Sequence, residues 1–217
     1  MSAREAILGR VRQGLGKGDA AGRRAAAEAR LAAPVRGPQP AIVGVLAARF
    51  ATKAESLAST VGRVAAADDV PAAVAAWLAD HRLGAAGVAT ADISGLPWAQ
   101  AGVAIAVRPA QDADAVGITG CFCAIAETGT LMLLSGSETP ASVSLLPETH
   151  VAIVPAKRIV ATMEDAFALL RTERPGTLPR AVNFVSGPSR TGDIEQTIVL
   201  GAHGPCRVHI VIVGEGT

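Results

Sequence analysis

Two short polar segments interrupt an otherwise apolar chain, and both hold side chains able to do chemistry. The first is Ala126-Glu127-Thr128-Gly129-Thr130, which leads into the apolar run TLMLL. Between residues 115 and 137, Glu127 is the sole charged residue. A carboxylate in such surroundings loses hydration unless it is paired or hydrogen-bonded. Desolvation would then favour a protonated or strongly interacting state. Thr128 and Thr130 add hydroxyls, and Gly129 permits a turn or a close backbone approach. The plainer alternative is a strand-entry turn in which Glu127 caps backbone N–H groups.

The second segment, Ser186-Gly187-Pro188-Ser189-Arg190-Thr191-Gly192-Asp193-Ile194-Glu195, follows an expected strand. In open α/β sheets, ligands collect beyond the carboxyl ends of strands. Backbone N–H groups of a loop rich in Gly187, Ser189 and Thr191 can cradle an anion, and Arg190 can hold a carboxylate or phosphate bidentately. Asp193 and Glu195 would supply counter-charge, or Asp193 would cap a short helix. A third segment, Gly201-Ala202-His203-Gly204-Pro205, places His203 in a turn as a candidate general acid or base. A local hydrogen bond is the ordinary role for such a histidine. His150 is a weaker candidate, and His81 and His209 weaker still.

Other chemistries find little support. Three cysteines, Cys121, Cys123 and Cys206, match neither a zinc knuckle nor a disulfide framework. An iron–sulfur cluster usually takes four thiolates, more than this chain has. Cys121 and Cys123 flank Phe122 in an apolar run and read as small buried hydrophobes. The histidines form no H-x-x-x-H pair, so no metal site is expected. Walker, G-x-S-x-G and G-x-G-x-x-G patterns are absent where chemistry would need them.

Twenty basic and 19 acidic residues give a net charge of +1, which offers no global field for nucleic acid or an anionic membrane. The basic residues nevertheless crowd the first 36 positions, where Arg4, Arg10, Arg12, Lys17, Arg23, Arg24, Arg30 and Arg36 face Glu5, Asp19 and Glu28. A solvated arm is the simpler reading, and docking to an acidic partner the sharper one. The start Met1-Ser2-Ala3-Arg4-Glu5 has no apolar signal core. The apolar stretch 115–137 is broken by Gly117, Gly120, Gly129 and Gly136, so no membrane span is expected. A cytoplasmic protein is the expectation.

The elements that must position these residues follow from periodicity. Residues 3–13 and 20–33 predict helices, and Pro34, Gly37, Pro38 and Pro40 a stiff connector, so residues 1–40 read as a helical arm and linker. Residues 41–217 read as one α/β domain. Helices are expected at 41–57, 69–82, near 139–146 and at 162–171. Strands are expected at 60–65, 86–90, 103–107, 130–134, 150–154, 181–186 and 208–213. Several of these strands lack period-2 alternation, as a sheet covered on both faces requires. The expectation is a three-layer α/β fold with a mainly parallel sheet. Aromatics make up only 3% and Tyr is absent, so Ala, Val, Leu and Ile must build its core.

Four stretches, GITGCFCAIAETGTLMLLSG, SVSLLPETHVAIVP, NFVSGPSRTGDIEQTIVLGAHGP and VHIVIV, occur in that order between about residue 85 and the end. They resemble successive blocks of the lactate utilization protein C family, which carries the LUD domain. The resemblance implies a fold of the sugar-phosphate isomerase and coenzyme A transferase group (NagB/RpiA-like). It also implies a role beside iron–sulfur partner proteins in oxidising L-lactate to pyruvate, with the clusters in the partners and no cofactor in this chain. Carried over as site candidates are Glu127 and His203 as catalytic groups. Thr128, Gly129, Thr130, Gly187, Ser189, Arg190, Thr191, Asp193, Glu195 and Gly204 carry over as anion or substrate contacts. The resemblance also leads one to expect an acid near position 122, where this chain has Cys121-Phe122-Cys123.

Three functions compete at this level. The chain could be an accessory component of lactate oxidation, a stand-alone transferase acting on a small carboxylate or acyl-coenzyme A with Glu127 as nucleophile, or an anion-sensing module. A homo-oligomer is compatible with each.

Overall fold

The computed structural model describes residues 2–15, 19–33, 35, 37–194 and 197–215. The chain divides into two units between Ala41 and Ile42. The first unit holds two helices, α1 (Ala3–Gly14) and α2 (Ala20–Ala32). Ser2 and Glu5 form a reciprocal capping box at the start of α1, and the Asp19 carboxylate accepts from the Ala21 N–H at the start of α2. Such caps satisfy N–H groups that a helix leaves open.

In the second unit, helix α3 (Leu46–Ser56) buries Ala47, Phe50, Ala51 and Ala54, an i, i+3, i+4, i+7 stripe. Helix α4 (Val70–Asp80) takes Pro71 in its first turn and buries Val70, Val74 and Leu78. Between and beyond them run β1 (Thr60–Val64), β2 (Ala86–Ala89), β3 (Ala104–Val107), β4 (Val116–Thr119), β5 (Cys123–Ile125) and β6 (Thr130–Leu134). There follow α5 (Ser142–Leu145), β7 (Thr149–Pro155), β8 (Ile159–Val160), α6 (Met163–Glu173), β9 (Val182–Val185), β10 (Arg190–Ile194), β11 (Thr197–Leu200) and β12 (Arg207–Val213).

Six strands form a sheet in the order β1-β12-β7-β4-β2-β3, every described pair parallel. Four more form a second sheet, β8-β5-β6-β9, in which β6 pairs antiparallel with both β5 and β9. Strands β10 and β11 make a separate hairpin.

Both faces of the large sheet are covered, as expected of a parallel sheet. Val151, Ile153 and Val211 meet α4 and Trp98 on one face. Ala152, Val154, Ile210 and Ile212 meet α3 and the inner face of the small sheet on the other. Behind the small sheet, Cys123, Ile125 and Met132 pack on Ala166 and Leu170 of α6. Sequence periodicity expects strands at 130–134 and 181–186 and assigns them to the main sheet. They belong instead to the small mixed sheet that shares one face with α3.

Connectivity creates one special point. From β2 the chain goes on to its neighbour β3, on one side. From β4, adjacent to β2 on the other side, the next strand of the large sheet is β7, away from β2. The connections leaving the carboxyl ends of β2 and β4 therefore part, and a parallel sheet opens a crevice where that happens.

Candidate functional site

A cleft of about 390 Å³ lies at that point. Thr90 and Asp92 follow β2; Thr119 ends β4, and Gly120, Cys121 and Phe122 continue it. The opposite wall comes from the small sheet, through Leu133, Leu134 and Asn183, and from the loop 135–141. Its size is that of a small-molecule site.

Local chemistry explains how the walls are held. The Gly120 N–H donates to Thr90 Oγ1 at 3.3 Å. A side chain at Gly120 would overlap the Asp92 carboxylate, so glycine lets the two strand ends close together. The loop 135–141 is fastened by the Ala91 N–H donating to the Glu138 carbonyl at 2.9 Å and by Thr139 Oγ1 donating to the Leu134 carbonyl at 2.8 Å. A Cβ at Gly117 would strike the Val143 carbonyl, which is why α5 can lie directly on β4. Arg158 steadies the far side: its Nε donates to the Phe122 carbonyl at 2.6 Å, its Nη1 meets Glu173 at 2.5 Å, and its guanidinium lies 4.7 Å from the Phe122 ring centre.

The polar character of the cleft is graded. Deep in it, Thr90, Thr119 and Ser144 are buried hydroxyls. At the mouth, Asp92, Glu138 and Arg174 are exposed charges. Thr119 Oγ1 shares a 2.9 Å hydrogen bond with Nε2 of His150, a fully buried residue of β7. Burial lowers the pKa of that imidazole from 6.5 to about 4, so it is neutral near pH 7. Among the described residues, no three of His, Cys, Asp and Glu gather in a way that could hold a metal ion. No helix among them is long and apolar enough to cross a membrane.

His150 apart, the described residues singled out from the sequence lie elsewhere, and several of them do meet. Glu127 sits in the turn between β5 and β6, half-buried, with its N–H donating to the Ala161 carbonyl at 3.0 Å. Thr128 Oγ1 donates to Thr130 Oγ1 at 2.7 Å, and Thr130 Oγ1 is 2.7 Å from Ser186 Oγ, which joins the two polar segments. Gly129, at φ +67°, abuts the backbone of Lys53 and Ala54. Gly187, at φ +78°, abuts the Leu57 carbonyl. Both glycines thus serve close approach to the last turn of α3. Arg190 is exposed, and its Nη2 donates to that same Leu57 carbonyl at 3.3 Å. A cation at a helix carboxyl end is favoured by the dipole and needs no ligand to explain it.

Ser189 is clamped by its neighbours, its N–H donating to Pro205 and its carbonyl accepting from Gly201. Gly204 lies against the Ser189 side chain, and His203 in the same turn is exposed. Thr191 pairs with Val199 across the β10–β11 hairpin. Asp193 is in β10 and so caps no helix, while its side chain and all of Glu195 lie outside the described residues.

None of those described lines the cleft. Thr130 and Leu134 stand at opposite ends of β6, about 13 Å apart at a strand's rise per residue. The carboxyl-end rule does not extend to the segment after β9, because β9 lies in the small sheet and pairs antiparallel there. It applies to β2 and β4. Sequence reasoning missed β4 because Gly117 lies within it and Gly120 follows it, and both read as breaks. The available signal was the cluster of small and hydroxyl residues in Ser135-Gly136-Ser137-Glu138-Thr139-Pro140-Ala141-Ser142 after a strand.

Comparison with known proteins follows the same outline. The chain is 39% identical over 111 residues to lactate utilization protein C of Bacillus subtilis (strain 168), covering 50% of this chain and 46% of that protein. It is 41% identical over 110 residues to lactate utilization protein C of Shouchella clausii (strain KSM-K16), covering 50% of this chain and 48% of that one. The chain thus spans about half the length of the curated relatives it matches. A crystal structure of a DUF162 family protein from Deinococcus radiodurans superposes with a TM-score of 0.57 at 24% identity, over 78% of this chain and 96% of that one, and shares the fold. Residues 47–213 match the LUD domain model, and by that match the chain belongs to the LUD domain family.

Proposed function

We propose that this chain is a component of lactate utilization that holds a small hydroxy- or keto-carboxylate in the cleft between β2 and β4. The oxidation itself would be completed by iron–sulfur partner proteins. The observation that carries this reading is the cleft's place, at the parting of the strand connections, with buried hydroxyls at its floor and Arg174 at its mouth. Similarity to the lactate utilization C proteins supplies the substrate class.

Size supports it as well. At about 390 Å³ the cleft is within the range of small-molecule sites and larger than a three-carbon acid needs. The rest leaves room for ordered water or a second small reactant. Arg174 is suited to the carboxylate, since a guanidinium forms two parallel hydrogen bonds to one.

Calorimetry of the full chain with L-lactate and pyruvate tests the site. Binding of either acid, weakened by Arg174→Ala, is the expected result. Heat that is unchanged by any substitution in the cleft would refute it. Pull-down of the tagged chain from its host, read for cluster-bearing proteins, tests the accessory role.

A further inference from the structure

His150 is enclosed completely in β7. Its Nε2 has Thr119 Oγ1 as partner at 2.9 Å, while its Nδ1 has no partner among the described residues. A neutral imidazole carries one N–H and one lone pair, and the two tautomers leave different groups unmet. With the proton on Nδ1, a buried N–H is orphaned. With the proton on Nε2, only a lone pair is. Orphaned buried N–H groups are the rarer outcome in folded proteins, so the second tautomer is the favoured one.

That choice fixes the polarity of the wall. Nε2–H donates to Thr119 Oγ1, whose own hydrogen then finds no acceptor among the described residues. Thr119 is 4% exposed and lines the floor of the cleft, so that hydrogen is free to point into it. We propose that Thr119, held and polarised by His150, donates its hydroxyl hydrogen to a carboxylate oxygen of the ligand, with His150 as the positioning residue. This deepens the small-carboxylate reading of the cleft and rests on it.

Two measurements decide the matter. In ¹⁵N-labelled protein near pH 7, the His150 ring should show a protonated Nε2 and an unprotonated Nδ1; the reverse pattern overturns the proposal. In calorimetry with L-lactate and pyruvate, Thr119→Val should weaken binding about 10- to 100-fold, the worth of a hydrogen bond to a charged acceptor. Thr119→Ser should restore it, and His150→Gln, whose amide reaches the Nε2 position, should largely preserve it. Equal binding by the wild type and Thr119→Val overturns the proposal and leaves the carboxylate site standing. If the wild type binds neither acid, the carboxylate site itself falls, and the proposed acceptor with it.

Discussion

Acid should destabilise this fold through two buried histidines. His150 and His209 are 0% and 5% exposed, and burial lowers each pKa from 6.5 to about 4. His209 is stacked on Trp77 at 4.4 Å with its Nδ1 2.8 Å from Thr60 Oγ1; the Thr60 backbone opposes the lowering, and the charge of His81, on the same Trp77 ring, adds to it. The folded pKa lies below the unfolded one, so the unfolded chain binds protons first. Stability from this source is complete above about pH 6.5 and is lost as pH falls from there to about 4. Between pH 7 and pH 5 the loss is about 2 kcal/mol for each ring and about 4 kcal/mol for both. That is a large share of an ordinary domain's stability.

Urea unfolding at pH 7, 6 and 5 measures the loss. Other groups titrate over the same range, so the informative quantity is the difference from a variant lacking both rings. His150→Gln keeps an amide at the Nε2 position, and His209→Asn keeps one at the Nδ1 position. The doubly substituted protein should lose about 4 kcal/mol less than the wild type between pH 7 and pH 5. An identical pH dependence in the two proteins would mean that neither histidine is held neutral by burial.

Gly129→Ala should cost at least about 2 kcal/mol, since a positive φ is joined by overlap with Lys53 and Ala54. Gly176→Ala, at φ +72° with open space around it, should cost only about 1 kcal/mol; equal losses in thermal melts would contradict the packing of the β5–β6 turn on α3. Burial pushes the Cys123 thiol up to about 11 and raises Cys121 as well, so neither should be alkylated at pH 8 until urea unfolds the chain, as peptide mass spectrometry would show. Arg190→Ala and Glu127→Gln should leave the affinity for L-lactate unchanged, because neither side chain lines the cleft; a tenfold loss in either would return the site to those segments.

The polar segments were legible, and so was their proximity: Thr130 and Ser186 do meet. Their purpose was not. Gly129 and Gly187 look like ligand cradles when only their neighbours along the chain are visible, and become packing contacts once α3 is in place. Arg190 changes in the same way, from an anion clamp to a donor at the end of a helix.

Local pattern was enough for the helices with clear apolar stripes, the long strands and an α/β architecture around a parallel sheet. These follow from short-range spacing, which any stretch of chain carries within itself. The cleft did not follow, because a crevice between β2 and β4 depends on strand order, and strand order is set by contacts between distant residues. Thr90 and Thr119 are unremarkable along the chain. They become neighbours only when parallel pairing brings two strand ends side by side, and His150 gains its meaning only from the interior that encloses it.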